Sequence, residues 1–145
     1  MAERGFTFVA ENDDAMNGIV KMRDVRFDKD LFINFRTRTI LDNLLCSYQG
    51  LPKGVNYMII GDPGVGKTTI ILDMLANIRK AQPSARILFI SAEMNEIDLA
   101  IYVERFPKFG DLNILFIEGG FDECSHSWQT VADTLDDGWD IVAID

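Results

Sequence analysis

Four short apolar runs recur along the chain from residue 57 onward. Each run has four residues, is rich in β-branched or aromatic side chains, and is apolar on both faces. Continuous apolar runs of this length are typical of strands in a parallel sheet that helices cover on both sides. We therefore predict four strands, at Tyr57–Ile60, Ile87–Ile90, Ile114–Ile117 and Ile141–Ile144.

Segments with helical periodicity separate these runs. The first ends before Pro83 and carries one apolar stripe, formed by Ile70, Ile71, Met74, Leu75 and Ile78. A second helix is predicted to begin after Asn95 as the N-cap residue and to stop before Pro107. Its predicted inward face consists of Ile97, Ala100, Ile101 and Val103. A third helix is predicted over residues 127–136. This alternation predicts an α/β fold with a parallel sheet flanked by helices.

Size and charge narrow the class of protein. The 145 residues suffice for one domain, and the net charge is −9. An acidic balance argues against this segment as the main nucleic-acid contact surface, because phosphate binding needs clustered Lys and Arg. Binding through a local patch or through regions outside this chain stays open. No apolar run reaches the ~18 residues that cross a bilayer, and the first residues do not resemble a signal peptide. We therefore predict a cytoplasmic protein without membrane contact.

A glycine-rich segment follows the first predicted strand and opens the first predicted helix. It fits the phosphate-loop pattern G-x-x-x-x-G-K-[ST], and its residues are Gly61, Asp62, Pro63, Gly64, Val65, Gly66, Lys67 and Thr68. A loop that wraps a polyphosphate aims several N–H groups inward, which glycine permits, and a helix N-terminus attracts the anion. Lys67 is predicted to contact the β- and γ-phosphates, and the Thr68 hydroxyl to ligate Mg²⁺. The alternative is a chance glycine-rich turn, but the strand before it and the helix after it favour a nucleoside triphosphate site.

Two acidic residues follow other predicted strands. Asp145 comes directly after Ile141–Ile144 and is predicted to hold the Mg²⁺ shell, usually through water; the alternative is a solvated strand end. Glu93 lies three residues after Ile87–Ile90, where it could orient or deprotonate an attacking water. It could equally be a helix-start acid that favours the helix dipole. Spacing alone leaves both interpretations of Glu93 open.

These motifs together resemble the RecA-like P-loop ATPases, in particular the branch of RadA recombination proteins and DnaB-type replicative helicases. The stretches ILDNLL and GLPKG, in residues 40–54, are similar to the lead-in of that family. Gly61–Thr69 is similar to the RadA form of the phosphate loop, which adds Thr69 to the predicted nucleotide contacts. Ser91–Met94 is similar to the DnaB form of the catalytic-glutamate motif. The resemblance covers residues 36–145 as a RecA-like ATP-binding domain and leaves residues 1–35 as an N-terminal segment of unknown role.

The resemblance implies an ATPase that works in DNA recombination, repair or replication. It implies ATP and Mg²⁺ as cofactors, with Glu93 as general base and Lys67 as the charge on the phosphates. It also implies a homo-oligomer, as a ring or a filament, and single-stranded DNA bound through regions beyond this chain. The sequence stops at Asp145, before the sensor strand, the DNA-binding loops and the arginine-finger region of that family. We therefore expect hydrolysis in the full-length protein and an inactive, incomplete fold in these 145 residues alone.

Two other functions are compatible with the same motifs. A nucleotide-dependent regulatory or assembly ATPase of this superfamily would use ATP to control association, without moving DNA. A binding module would hold the nucleotide without turnover. Hydrolysis that DNA stimulates would distinguish a DNA motor from the regulatory ATPase. In a binding module, a Glu93 substitution would leave the already negligible rate of hydrolysis unchanged.

Overall fold

A computed structural model of the chain describes residues 34–45, 49–117 and 125–145, with only the backbone at 125–127. The described residues belong to one compact unit, Asn34–Asp145. Nearly all of the predicted N-terminal segment, residues 1–35, lies outside the described residues, so its separation from a domain over residues 36–145 stays a prediction.

The described elements alternate between helices and strands through the second half of the chain. In chain order they are β1 (Asn34–Phe35), α1 (Leu41–Leu45), β2 (Leu51–Pro52), α2 (Lys67–Ala81), β3 (Ile87–Ser91), α3 (Glu96–Arg105), a 3₁₀ helix (Pro107–Asp111), β4 (Asn113–Phe116), α4 (Ser125–Asp136) and β5 (Ile141–Ile144). Three of the four predicted strands and all three predicted helices are confirmed, with shifts of a few residues at their ends.

A three-stranded parallel sheet forms the centre, in the order β4-β3-β5. Leu88 of β3 lies beside Asn113 of β4 on one side and Val142 of β5 on the other. All five residues of β3 are buried. The sheet confirms the predicted α/β fold class with parallel strands flanked by helices.

Successive residues of β3 pack into two different hydrophobic clusters. Ile87 and Phe89 face a cluster that includes the buried side of α2, whereas Leu88 and Ile90 face a cluster that includes Val131 of α4. Side chains alternate across a strand, so the apolar run Ile87–Ile90 of β3 needs cover on both faces. Each fully buried aliphatic side chain contributes roughly 1.5–3 kcal/mol, which makes β3 the best-stabilised segment of the sheet.

The predicted strand Tyr57–Ile60 is wrong. No strand is assigned there, and the exposed fractions reach 84% for Met58 and 85% for Ile60. The physical reason is the absence of a neighbour: no strand among the described residues lies alongside to exchange backbone hydrogen bonds, and a strand is defined by such pairing. The Tyr57 hydroxyl instead donates to the Leu45 carbonyl at 3.1 Å.

Helix α3 has the predicted cap and the opposite inward face. The Asn95 side chain accepts hydrogen bonds from the N–H groups of Ile97 and Asp98, and the Asp98 carboxylate accepts from Asn95 N–H, which completes a capping box. The predicted inward set is wrong, because all four of its residues are exposed, namely Ile97, Ala100, Ile101 and Val103. The residues that pack against the core are Leu99, Tyr102 and Phe106. They follow the spacing i, i+3, i+7, and the rings of Tyr102 and Phe106 give this side more apolar area to bury.

A buried carboxylate organises the segment before α1. Asp42 is 8% exposed and accepts hydrogen bonds from Thr37 N–H at 2.7 Å, the Thr37 hydroxyl at 2.6 Å and Arg38 N–H at 2.9 Å. Burial by itself raises the pKa of Asp42, but these hydrogen bonds and the positive charge of Arg36 outweigh it and bring the pKa below 3.8. The ionised carboxylate therefore stabilises the loop at neutral pH.

The same segment is joined to the core by a short antiparallel pair. Phe35 of β1 lies beside Leu51 of β2, and both side chains are buried in the cluster that contains α2. No helix in the described part of the chain is long and apolar enough to pass through a bilayer.

Candidate functional site

The phosphate-loop segment has the backbone that its glycines predict. Gly64 and Gly66 have φ values of 77° and 92°, in the left-handed region that other residues rarely adopt. Gly66 is also the N-cap of α2 and supplies no side chain to the first turn of that helix. The first N–H groups of α2 therefore lack a side-chain acceptor, an arrangement suited to an anionic ligand.

The Lys67 side chain folds back over the phosphate loop, so its ammonium contacts the start of that loop. Its Nζ donates to the Gly61 carbonyl at 3.0 Å and to the Asp62 carbonyl at 3.1 Å. None of the salt bridges between described residues involves Lys67. Both acceptors are neutral, so phosphate oxygens at the same place would offer the ammonium stronger, charge-assisted bonds.

Thr68 and Asp145 meet although they are 77 positions apart in the sequence. The Thr68 hydroxyl donates to Asp145 Oδ2 at 2.6 Å. Asp145 is in turn fixed to β3, because its N–H donates to the Ile90 carbonyl at 3.0 Å and its carbonyl accepts from Ala92 N–H at 3.1 Å. The start of α2 and the carboxyl ends of β3 and β5 thus converge. A hydroxyl and a carboxylate are hard oxygen ligands of the kind that Mg²⁺ takes, usually together with water and phosphate.

Glu93 lies near this point and does not touch it. Its side chain is exposed and makes no hydrogen bond or salt bridge with another described residue. It lines an open cleft of about 320 Å³ between the β3–α3 turn and the end of β4, shared with Glu96 and Phe116. Asp145 lies on the other side of β3, next to Thr68. The described arrangement brings Thr68 and Asp145 together, with Lys67 adjacent, and leaves Glu93 one strand away.

The turn that precedes Glu96 is held by Ser91. The Ser91 hydroxyl donates to the Met94 carbonyl at 3.2 Å and accepts from Met94 N–H at 3.3 Å. The Ser91 carbonyl accepts from Ile117 N–H at 2.9 Å. The backbone on both sides of Glu93 is therefore fixed at the carboxyl edge of the sheet, where ligands bind in open α/β folds.

Tyr102 is a neighbour of the site that sequence reasoning missed. Its hydroxyl accepts a long hydrogen bond of 3.4 Å from the Thr69 hydroxyl, and its ring centre is 6.4 Å from that of Phe109. Thr69 directly follows Thr68 in the first turn of α2. The only sequence signal for this contact is the aromatic position three residues after Leu99 on α3, which the predicted inward face did not include.

Comparison with known families identifies the class of protein. Residues 52–141, more than half of the chain, match the DNA-binding domain of type IV secretion-system coupling proteins, and the chain belongs to this family. No curated protein and no solved structure matches the chain. The family description does not name RadA proteins or DnaB-type helicases, so a place on that branch remains a prediction.

Proposed function

We propose that this chain is an ATP- and Mg²⁺-binding domain of a RecA-like ATPase that acts on DNA. The observation that supports it most is the contact between Thr68 and Asp145 at the start of α2. A chance glycine-rich turn gives no reason for a hydroxyl in that turn to meet a carboxylate from the end of a distant strand. The two oxygens are suited to Mg²⁺, and Lys67 and the N-terminus of α2 are suited to the phosphates.

DNA is the proposed macromolecular partner because of the family to which the chain belongs. Because the net charge is −9, the chain's surface as a whole is not suited to DNA. We therefore place the DNA contacts on a local basic patch or in regions beyond this chain. Type IV secretion, which the family description names, and the recombination, repair or replication that the RadA and DnaB resemblance implies are alternative settings for the same chemistry. A homo-oligomer, as a ring or a filament, is part of this proposal.

The position of Glu93 favours a second candidate, a domain that binds nucleotide for assembly without rapid turnover. Its carboxylate makes no hydrogen bond with Thr68 or Asp145. In the main proposal Glu93 becomes the general base once substrate is bound, since catalytic contacts often tighten only in the complex. The two candidates differ in what the Glu93 carboxylate contributes to the rate.

Replacing Glu93 by Gln in the full-length protein tests the difference. We expect unchanged ATP affinity and turnover lowered by ~10²-fold or more, the usual scale for a positioned general base. Glu96→Gln is the matched control, because Glu96 lines the same cleft and should leave turnover within about twofold. Steady-state phosphate release and binding of an ATP analogue are measured for all three proteins. A negligible rate in the parent that Glu93→Gln leaves unchanged would favour the second candidate. Rapid turnover that survives in Glu93→Gln would make Glu93 a helix-start residue and require another general base.

A further inference from the structure

Two hydroxyl groups from distant parts of the chain meet beside the phosphate loop. The Thr69 hydroxyl, in the first turn of α2, donates to the Tyr102 hydroxyl of α3 at 3.4 Å, and both residues are half-buried. This bond is longer than the roughly 2.5–3.0 Å of a usual O–H···O hydrogen bond. Hydrogen bonds of a functional site are often long without substrate and tighten in the complex, so the length is compatible with a role at the nucleotide site.

The contact with Tyr102 decides where the Thr69 hydroxyl points. A threonine in a helix can donate to a carbonyl of the preceding turn, and its hydroxyl divides between two rotamers for that reason. With the described residues, the Thr69 hydroxyl makes the bond to Tyr102 and no other. Tyr102 therefore keeps this hydroxyl away from the carbonyls of its own helix.

The Tyr102 ring is held in place by aromatic packing. Its centre is 6.4 Å from that of Phe109, which is buried and whose ring centre is 5.1 Å from that of Phe106. The Tyr102 carbonyl also accepts a hydrogen bond from Phe106 N–H at 2.8 Å, at the end of α3. A tyrosine side chain has only two χ angles, so a packed ring fixes the position of its hydroxyl. The core therefore places the Tyr102 hydroxyl independently of Thr69.

A second polar contact joins the same parts of the fold. Lys108 of the 3₁₀ helix forms a salt bridge with Asp73 of α2. Asp73 comes four residues after Thr69, so the two side chains lie on one face of α2. The segment formed by α3 and the 3₁₀ helix is thus attached to α2 at both residues, which fixes the first turn of α2 relative to Tyr102.

The protons of the two hydroxyls can be passed on in the direction that a phosphate needs. Each hydroxyl has one proton that rotates to suit its partners and two lone pairs that accept. The Tyr102 hydroxyl donates to no described residue, so its proton is available to Thr69. The neighbouring Thr68 hydroxyl already donates to Asp145. Thr69 therefore supplies the second side-chain hydroxyl in the first turn of α2.

We propose that Tyr102 is a positioning residue of the nucleotide site. In the complex, the Tyr102 hydroxyl donates to Thr69 Oγ1, and the Thr69 hydroxyl turns its own proton to a phosphate oxygen. Two hydroxyls in such a chain polarise one another, which strengthens the bond to the phosphate. Tyr102 acts through Thr69 and does not touch the nucleotide. This inference rests on the proposed function, because it requires a phosphate beside Thr69.

Tyr102→Phe in the full-length protein removes the hydroxyl and keeps the ring. The dissociation constant of a fluorescent ATP analogue with Mg²⁺ is expected to rise by about threefold to tenfold, the scale of one neutral hydrogen bond. Tyr57→Phe is the matched control, because it removes a hydroxyl that donates to the Leu45 carbonyl, and it should bind like the parent. Thermal melting is measured for each variant, and all titrations are made below its transition.

Substitutions at Thr69 distinguish a positioning role from a merely structural one. Thr69→Val should weaken binding by about tenfold or more, and in that background Tyr102→Phe should add less than about twofold, since the two residues act as one unit. Thr69→Ser keeps a hydroxyl, and there Tyr102→Phe should again weaken binding by about threefold to tenfold. Parental affinity in Tyr102→Phe, the full effect of Tyr102→Phe in the Thr69→Val background, or an equal loss in Tyr57→Phe would overturn the proposal.

Lys67→Ala in the same titration separates this inference from the proposed function. If Lys67→Ala loses binding while Tyr102→Phe binds like the parent, the nucleotide site stands and the role of Tyr102 is refuted. If the parent does not bind the analogue, or if Lys67→Ala binds it equally well, both the nucleotide site and the role of Tyr102 are refuted.

Discussion

Two apolar runs of equal length have opposite environments in this chain. In β3, Ile90 is 0% exposed and pairs with strands on both sides, whereas in the run Tyr57–Ile60 the side chain of Ile60 is 85% exposed and no strand is assigned. Their compositions are similar, so intrinsic preference does not explain the difference. An apolar run therefore becomes a strand only where neighbouring strands and covering helices are available.

Hydrogen exchange should show the largest difference between the two runs. The backbone amides of Leu88, Phe89 and Ile90 are expected to exchange only through global unfolding, and those of Met58, Ile59 and Ile60 through local fluctuations. In a folded domain of ordinary stability, the exchange rates of the two sets should differ by about 10³-fold or more. Exchange followed by mass spectrometry or NMR measures both sets in one sample. Comparable protection would show that residues 58–60 are paired in solution and that the comparison does not hold.

A matched pair of isoleucine substitutions gives the next largest effect. Ile90→Ala removes a fully buried side chain and should lower the free energy of unfolding by about 2–5 kcal/mol. Ile60→Ala makes the same chemical change at an exposed position and should stay within about 0.5 kcal/mol. Urea unfolding of the three proteins measures both values. A large loss in Ile60→Ala would mean that residue 60 has apolar cover in solution.

The elements that can be predicted from the sequence are those whose pattern has one structural solution. The end of α2 before Pro83, the Asn95 cap of α3 and the bounds of β5 all follow from local signals, and each is present. The hydrogen bond between Thr68 and Asp145 joins two residues that were each predicted to serve Mg²⁺, and their role as ligands stays a prediction.

A pattern with two structural solutions does not predict which residues of an element are buried. Helix α3 is apolar on both sides, so helical spacing fits Ile97 and Ile101 as well as Leu99 and Tyr102. The aromatic contact between Phe106 and Phe109, with ring centres 5.1 Å apart, lies on the second side and belongs to the buried face. No local signal in the sequence shows which of the two sides of α3 packs against the hydrophobic cluster that contains α2. The position of Glu93 in a cleft beside β4 depends in the same way on packing between elements.

The segment around Asp42 gives a third case beside β3 and the run Tyr57–Ile60, with a smaller expected effect on the free energy of unfolding. Residues 36–40 contain no strand, yet a buried carboxylate fixes them. Asp42→Asn removes the charge from a buried acceptor of three hydrogen bonds and should lower the free energy of unfolding by about 2 kcal/mol at pH 7.

The pH dependence of that loss follows from the sign of the pKa shift. The pKa of Asp42 is lowered from 3.8 in the folded chain, so the stabilisation is complete above pH 3.8 and is lost as the pH falls through the lower folded value. Unfolding of parent and variant is compared at pH 7 and in steps below pH 4. A difference between parent and variant that stayed constant to the lowest pH would show that the charge of Asp42 is not the cause.

Nucleotide binding by the phosphate loop is the central claim, and titration of a fluorescent ATP analogue with Mg²⁺ tests it most directly. Lys67→Ala is expected to weaken binding by at least about 10²-fold, because it removes the main positive charge on the β- and γ-phosphates. Lys80→Ala makes the same change on the last turn of α2, away from the loop, and should bind like the parent. Equal affinity of the parent and Lys67→Ala for the analogue would contradict the assignment.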